Sequence, residues 1–143
     1  MQEDTRRNIP KSIKLDYKFI TKLKEAIKAE KREYDFRLKN LNNFVIMALL
    51  DFEKIAFIVD DNGNKELNLR YLQRYQISKD KNSKIKVFPF LFDEKTNLIF
   101  EAIPYGDRKN ILEQILNYYW KKVNQEREEK EEKEDELARS INN

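Results

Sequence analysis

The chain has 143 residues, an apolar share of 40% and a charged share of 38%, so one core of modest size with solvated extensions is expected. With no cysteine and no histidine, it offers no zinc finger, thiol nucleophile, imidazole proton shuttle or disulfide. Its only two glycines, Gly63 and Gly106, are too few and too far apart for a glycine-rich phosphate cradle.

Net charge is +3, unevenly spread. Residues 1–40 hold 12 basic and 7 acidic groups, and residues 126–143 hold 4 and 8. A basic beginning beside an acidic tail fits a nucleic-acid surface next to a solvating or protein-binding extension, while lysine-rich solvated helices would give a similar excess. The start, Met1-Gln2-Glu3-Asp4, is polar where a signal peptide needs an apolar stretch, and no window suits a bilayer span. No membrane association is expected, and the cytoplasm is the expected location. The acidic pairs Asp60-Asp61 and Asp93-Glu94 lack calcium-loop spacing and read as surface turns. No carboxylate pair stands in a distinctive setting, so no enzyme, metal or cofactor is expected.

Residues 1–10 form a basic arm carrying Arg6 and Arg7 and ending in Pro10. In Lys11-Ser12-Ile13-Lys14-Leu15-Asp16, Ile13 and Leu15 share one face while Ser12 and Lys14 share the other, which is strand periodicity. Asp16 is a candidate cap for a helix whose stripe is Ile20, Leu23, Ile27 and Tyr34. Asn40, Asn42 and Asn43 mark a break and a second helix start, and Phe44 to Phe52 is the most apolar run in the chain.

The period then changes. Ile55 to Val59, Asn62-Gly63, and the alternation Leu67, Leu69, Tyr71 predict a β-hairpin. Leu72 to Ile77 is ambiguous, with a short helix as one option, and residues 78–83 read as loop. A second hairpin is expected from Ile85 to Phe92 and Leu98 to Ile103, because Ile99-Phe100 favours strand, with Pro89 at an edge or bulge. The alternative for residues 84–123 is strand, helix, turn at Gly106, helix, which would repeat the N-terminal unit. Asp107 is a candidate cap for the last helix, with a stripe of Ile111, Leu112, Ile115, Leu116, Tyr119, Trp120 and Val123. Residues 126–143 are a charged tail, helical or disordered. The expected class is therefore α+β: a short N-terminal strand and two helices, β-hairpins in the middle, and a C-terminal helix with a charged tail. One domain over residues 11–125 follows the arm at 1–10 and precedes the tail.

The order of arm, alternating strand, amphipathic helix, polar break and apolar helix resembles the ribbon-helix-helix family of DNA-binding proteins. The resemblance rests on Lys11 to Leu15, Ile20, Leu23, Ile27 and Leu41 to Leu49, within residues 10–53. It implies a homodimer whose two strands form a ribbon that enters the major groove of duplex DNA. Ser12 and Lys14 would then face base edges, with Lys11 in the same strand. Asn42 and Asn43 would lie at a phosphate-holding helix start, and Arg6 and Arg7 would add sequence-independent contacts. A transcriptional repressor, a plasmid partition adaptor and a conjugative relaxosome accessory protein all fit that family. The segment Glu30 to Asn40 is longer than the family's usual connection and lacks its customary glycine.

Two other binding modes compete. Arg70, Tyr71, Arg74, Tyr75, Phe88 and Phe90 could make a stacking platform for single strands, although aromatics in so apolar-poor a chain are needed for the core. Tyr118, Tyr119 and Trp120 read as packing residues. A protein–protein adaptor acting through amphipathic helices and the charged tail is the remaining alternative.

Overall fold

A computed structural model describes residues 5–30, 35–78 and 82–141. Strand β1 (Ile9–Asp16) leads directly into helix α1 (Tyr17–Ala29). The Asp16 carboxylate accepts from the Phe19 amide at 2.8 Å, which ends the strand and caps the helix. Ile20, Leu23 and Ile27 form the buried stripe of α1, while Tyr34 lies outside the described residues. After a 3₁₀ turn at Phe36–Leu38, the Asn40 side chain accepts from the Asn43 amide at 2.7 Å and caps helix α2 (Leu41–Ala56). The helix α2 is buried on most sides, as its apolar run requires.

The first expected hairpin forms, as β2 (Phe57–Val59) against β3 (Lys65–Leu67). Its turn uses Gly63 at φ 82°, where a side chain would be strained, and Asp60, whose carboxylate accepts from the Asn62 and Asn64 amides. The helix α2 runs through Ala56, which had been expected in strand. Ala56 is fully buried one turn beyond Phe52, so core contact overrides the local strand preference. The ambiguous segment is a 3₁₀ turn, Arg70–Tyr75, with Leu72 buried and the Tyr75 carbonyl accepting from Asn117 at 2.9 Å.

The second expected hairpin does not form. Strand β4 (Ile85–Phe92) is followed by helix α3 (Glu94–Ala102), a 3₁₀ turn at Tyr105–Asp107, and helix α4 (Arg108–Ile141). Asp93 caps α3 through the Thr96 amide and hydroxyl at 2.8 and 3.0 Å. Thr96, Ile99 and Phe100 turn one helical face to the core, so Ile99 and Phe100 are helical despite their strand preference. The alternative reading of residues 84–123 is therefore the observed one.

Strands β1 and β4 pair antiparallel along their whole length, from Ile9 opposite Phe92 to Asp16 opposite Ile85. The two strand-helix-helix units correspond closely. Aligning Asp16 with Asp93, both helix caps, puts Ile13, Leu15 and Leu23 on Phe90, Phe92 and Phe100, all buried. Aligning Val45 with Leu112 puts Phe44, Ala48, Leu49, Phe52 and Ala56 on Ile111, Ile115, Leu116, Tyr119 and Val123, again all buried. The two units differ in the link between their helices, which is longer in the first, and in the second helix, which has 16 residues in α2 and 34 in α4. The ribbon-helix-helix resemblance implies that β1 pairs with the same strand of a second chain; here β1 pairs with β4 of its own chain, so the two-stranded ribbon is complete within one chain.

One core unites the inner face of the ribbon with α1, α2, α3 and the first half of α4. From Glu126 to Ile141, α4 continues as a charged helix exposed along nearly all its length. No helix among the described residues is long and apolar enough to cross a membrane.

Candidate nucleic-acid interface

Strand alternation divides the ribbon into two faces. Ile13 and Leu15 of β1, with Phe90 and Phe92 of β4, point into the core. Pro10, Ser12 and Lys14 of β1, with Ile85, Val87, Pro89 and Leu91 of β4, are exposed on the other face. Asp16, last on that side, is buried and hydrogen-bonded to Ser83.

The Asp16 and Leu91 amides both donate away from the ladder, to Glu113 and Asn42. Their pairs, Asp16 with Ile85 and Pro10 with Leu91, are therefore of the non-hydrogen-bonded kind. By the alternation of an antiparallel ladder, so are Ser12 with Pro89 and Lys14 with Val87. This is why two prolines fit in the ribbon: their missing amide hydrogens would have pointed outward. It also brings the outward side chains close together in pairs. Under the alignment of the two units, Ser12 matches Pro89, so the pseudo-twofold axis runs through that pair.

Each second helix begins beside the far strand. At the start of α2, the Asn42 amide donates to the Leu91 carbonyl at 3.0 Å and its oxygen accepts from the Leu91 amide at 2.9 Å. Near the start of α4, buried Glu113 accepts from the Asp16 amide at 2.7 Å and from Lys109 at 2.9 Å. Arg108 donates to the carbonyls of Glu101 and Ile103, and its guanidinium lies 5.2 Å from the centres of the Phe100 and Tyr105 rings.

No family model, curated protein or solved structure matches this chain. Ser12 and Lys14 lie where alternation placed them, exposed on the outer face. Lys11 lies on the opposite side and bonds Glu101 of α3 at 2.9 Å, and its ammonium holds that carboxyl below the usual range. Arg7, Asn42 and Asn43 come together at the start of α2, with Arg7 donating to the Asn43 oxygen at 2.6 Å. Asn43 is fully buried and also donates to the Phe36 carbonyl, so its side chain serves the link before α2. Arg6 is exposed on the N-terminal arm.

The single-strand platform does not assemble. Tyr71 and Tyr75 pack edge-on against Tyr118, Phe88 stacks on Tyr17, and Phe90 is buried, so no row of open aromatic faces is left beside Arg70 and Arg74. Sequence reasoning missed the outward residues of β4 and the cations Arg108 and Lys109 at the start of α4. The repeat reading of residues 84–123 was the signal that would have found them. Among the described residues, no group of acidic side chains is placed to hold a metal ion.

Proposed function

We propose that this protein binds duplex DNA by inserting the β1–β4 ribbon into the major groove, one chain supplying both halves of a ribbon-helix-helix-like module. The observation that carries the reading is the outer ribbon face: it holds Lys14 and Ser12, has no exposed carboxylate, and is flanked by the starts of both second helices. The major groove, about 12 Å wide, admits a two-stranded ribbon. Lys14 suits guanine O6 and N7. The first turns of α2 and α4, with Arg7 and Lys109 beside them, suit phosphates on either side. The binding unit is one chain, since β1 already has its partner.

The test is fluorescence anisotropy of the full chain with labelled duplex across a salt series. Affinity is expected to fall steeply with salt as counterions are released. Lys14→Glu is expected to weaken binding by about tenfold or more, the loss of one base-edge contact worth ~1–3 kcal/mol. Lys14 is exposed, so the circular dichroism melt should not change. Unaltered binding by Lys14→Glu would remove the ribbon from the interface.

An adaptor role of the tail is the second reading, favoured by one observation. Leu137 and Ile141, one turn apart at the end of α4, are 63% and 74% exposed on an otherwise charged helix. Deleting residues 126–143 is expected to leave duplex affinity unchanged or slightly raised, because the tail is net acidic. A loss of DNA binding on deletion would assign the main contact to the tail.

A further inference from the structure

The outer ribbon face is unusual for its apolar content. Ile85, Val87 and Leu91 are 58%, 55% and 50% exposed, and with Pro89 and Pro10 they make a continuous stripe interrupted only by Ser12 and Lys14. Single exposed apolar residues need no explanation, but a row of them at alternate strand positions marks a contact surface. The core does not use these side chains, because alternation turns Phe88, Phe90 and Phe92 inward instead.

Resting on the DNA-binding reading above, we propose that the β4 half of the ribbon reads thymine 5-methyl groups, so that the target is an asymmetric, thymine-rich duplex site. Three observations fix the occupant. The thymine methyl is the apolar group that base edges present in the major groove, and apolar side chains are its partners. The outer face is one ribbon wide and comprises seven residues, five of them in the apolar stripe, whereas a stable protein interface takes about 20–30 residues a side. Lys14 sits directly opposite Val87, which gives the stripe a cation and no exposed carboxylate, complementary to a polyanion.

Asymmetry follows from the register. Across the pseudo-twofold axis at Ser12 and Pro89, Lys14 is matched by Leu91, and Pro10 by Val87. One end of the ribbon thus presents Pro10 with Leu91, and the other presents Lys14 with Val87. A homodimer would repeat one set of contacts in both half-sites and favour a palindrome. This single chain presents different chemistry to each half-site: apolar contact at one end, a lysine donor beside an apolar contact at the other.

The experiment is selection of binding sites by the full chain from a random duplex pool, followed by replacement of thymine with deoxyuridine in a selected duplex. Deoxyuridine keeps every hydrogen-bonding group and lacks only the methyl. The expected outcome is a non-palindromic, thymine-rich site whose affinity falls about fourfold for each methyl removed from a contact, equivalent to ~0.8 kcal/mol. The Val87→Ser/Leu91→Ser chain should bind more weakly with an unaltered salt slope and should not distinguish thymine from deoxyuridine. Lys14→Glu should keep the distinction. Equal affinity of the native chain for both duplexes, or a palindromic site, would overturn the proposal while leaving DNA binding intact. No binding to any duplex at low salt would overturn both. The comparison on the native chain stands even if the double variant fails to fold.

Discussion

Replacing Phe92 by alanine is expected to cost about 3–5 kcal/mol and to unfold ribbon and helices together. Phe92 is fully buried, with ring centres 6.0 Å from both Phe90 and Phe100. It closes β4 opposite Ile9 and stands where Leu15 stands in the other unit, so its ring joins the ribbon to α3. Its ring neighbours Phe90 and Phe100 are themselves held in β4 and α3, so they cannot collapse fully into the space that the lost ring leaves. Domains of this size are stable by about 5–15 kcal/mol, so the loss is a large fraction of the total. Urea unfolding followed by circular dichroism would show a shifted midpoint with an unaltered slope. The neighbouring Leu91→Ala is the control: half-exposed and outward, it should cost less than about 1 kcal/mol. A large loss for Leu91→Ala and a small one for Phe92→Ala would mean that the faces of β4 are reversed, as a one-residue slip produces.

Much of this architecture is written in short-range signals. Asp16 and Asn40 cap the helices that follow them, and Asn62-Gly63 turns the hairpin that its dipeptide predicts. These are legible because a cap or a tight turn is decided by a few consecutive residues. The alternation of Ile13 and Leu15 with Ser12 and Lys14 likewise fixed which side chains face outward, whatever strand lies alongside.

The partner of β1 was harder to read, because pairing is non-local. The choice turned on Ile99 and Phe100, whose strand preference is overridden in α3. Asp93 three residues before Thr96 was a capping signal of the same kind as Asp16 before Phe19, and it lay in the supposed hairpin turn. Pro89 was consistent with an edge, and in a two-stranded ribbon every strand is an edge.

The candidate site was half legible for the same reason. Lys11 carries a charge in a strand between two outward positions, and only the fold shows Glu101 waiting for it. Asn43 is a polar residue at a helix start, where a ligand role is natural, yet the long link before α2 encloses it. Ile85, Val87 and Leu91 look like core in a linear sequence. Their exposure follows only from the three phenylalanines that alternate with them and take the inner face.

Alkaline pH should unfold the protein through the tyrosines that pack α4. Burial pushes the Tyr119 phenol up to about 12, with the Asp51 and Glu126 carboxylates adding to the rise against Arg37. Burial also raises Tyr71 and Tyr118, and Asp51 pushes both in the same direction. In the unfolded chain these phenols release their protons near 10. Above that pH the folded state binds more protons than the unfolded one, so stability falls as pH rises. The contribution is fully present below pH 10 and is lost as pH climbs through about 12. Discounted for residual solvent contact, Tyr119 alone is worth on the order of 1–2 kcal/mol. Thermal melts at stepped pH should therefore hold steady up to pH 10 and then drop, with tyrosinate absorbance rising as helix signal falls. Tyr119→Phe keeps the ring against Phe44, 5.3 Å away, and removes the titrating proton, so its melting temperature should fall less steeply over the same interval. An equally steep fall in that variant would show that Tyr119 ionisation does not drive the unfolding.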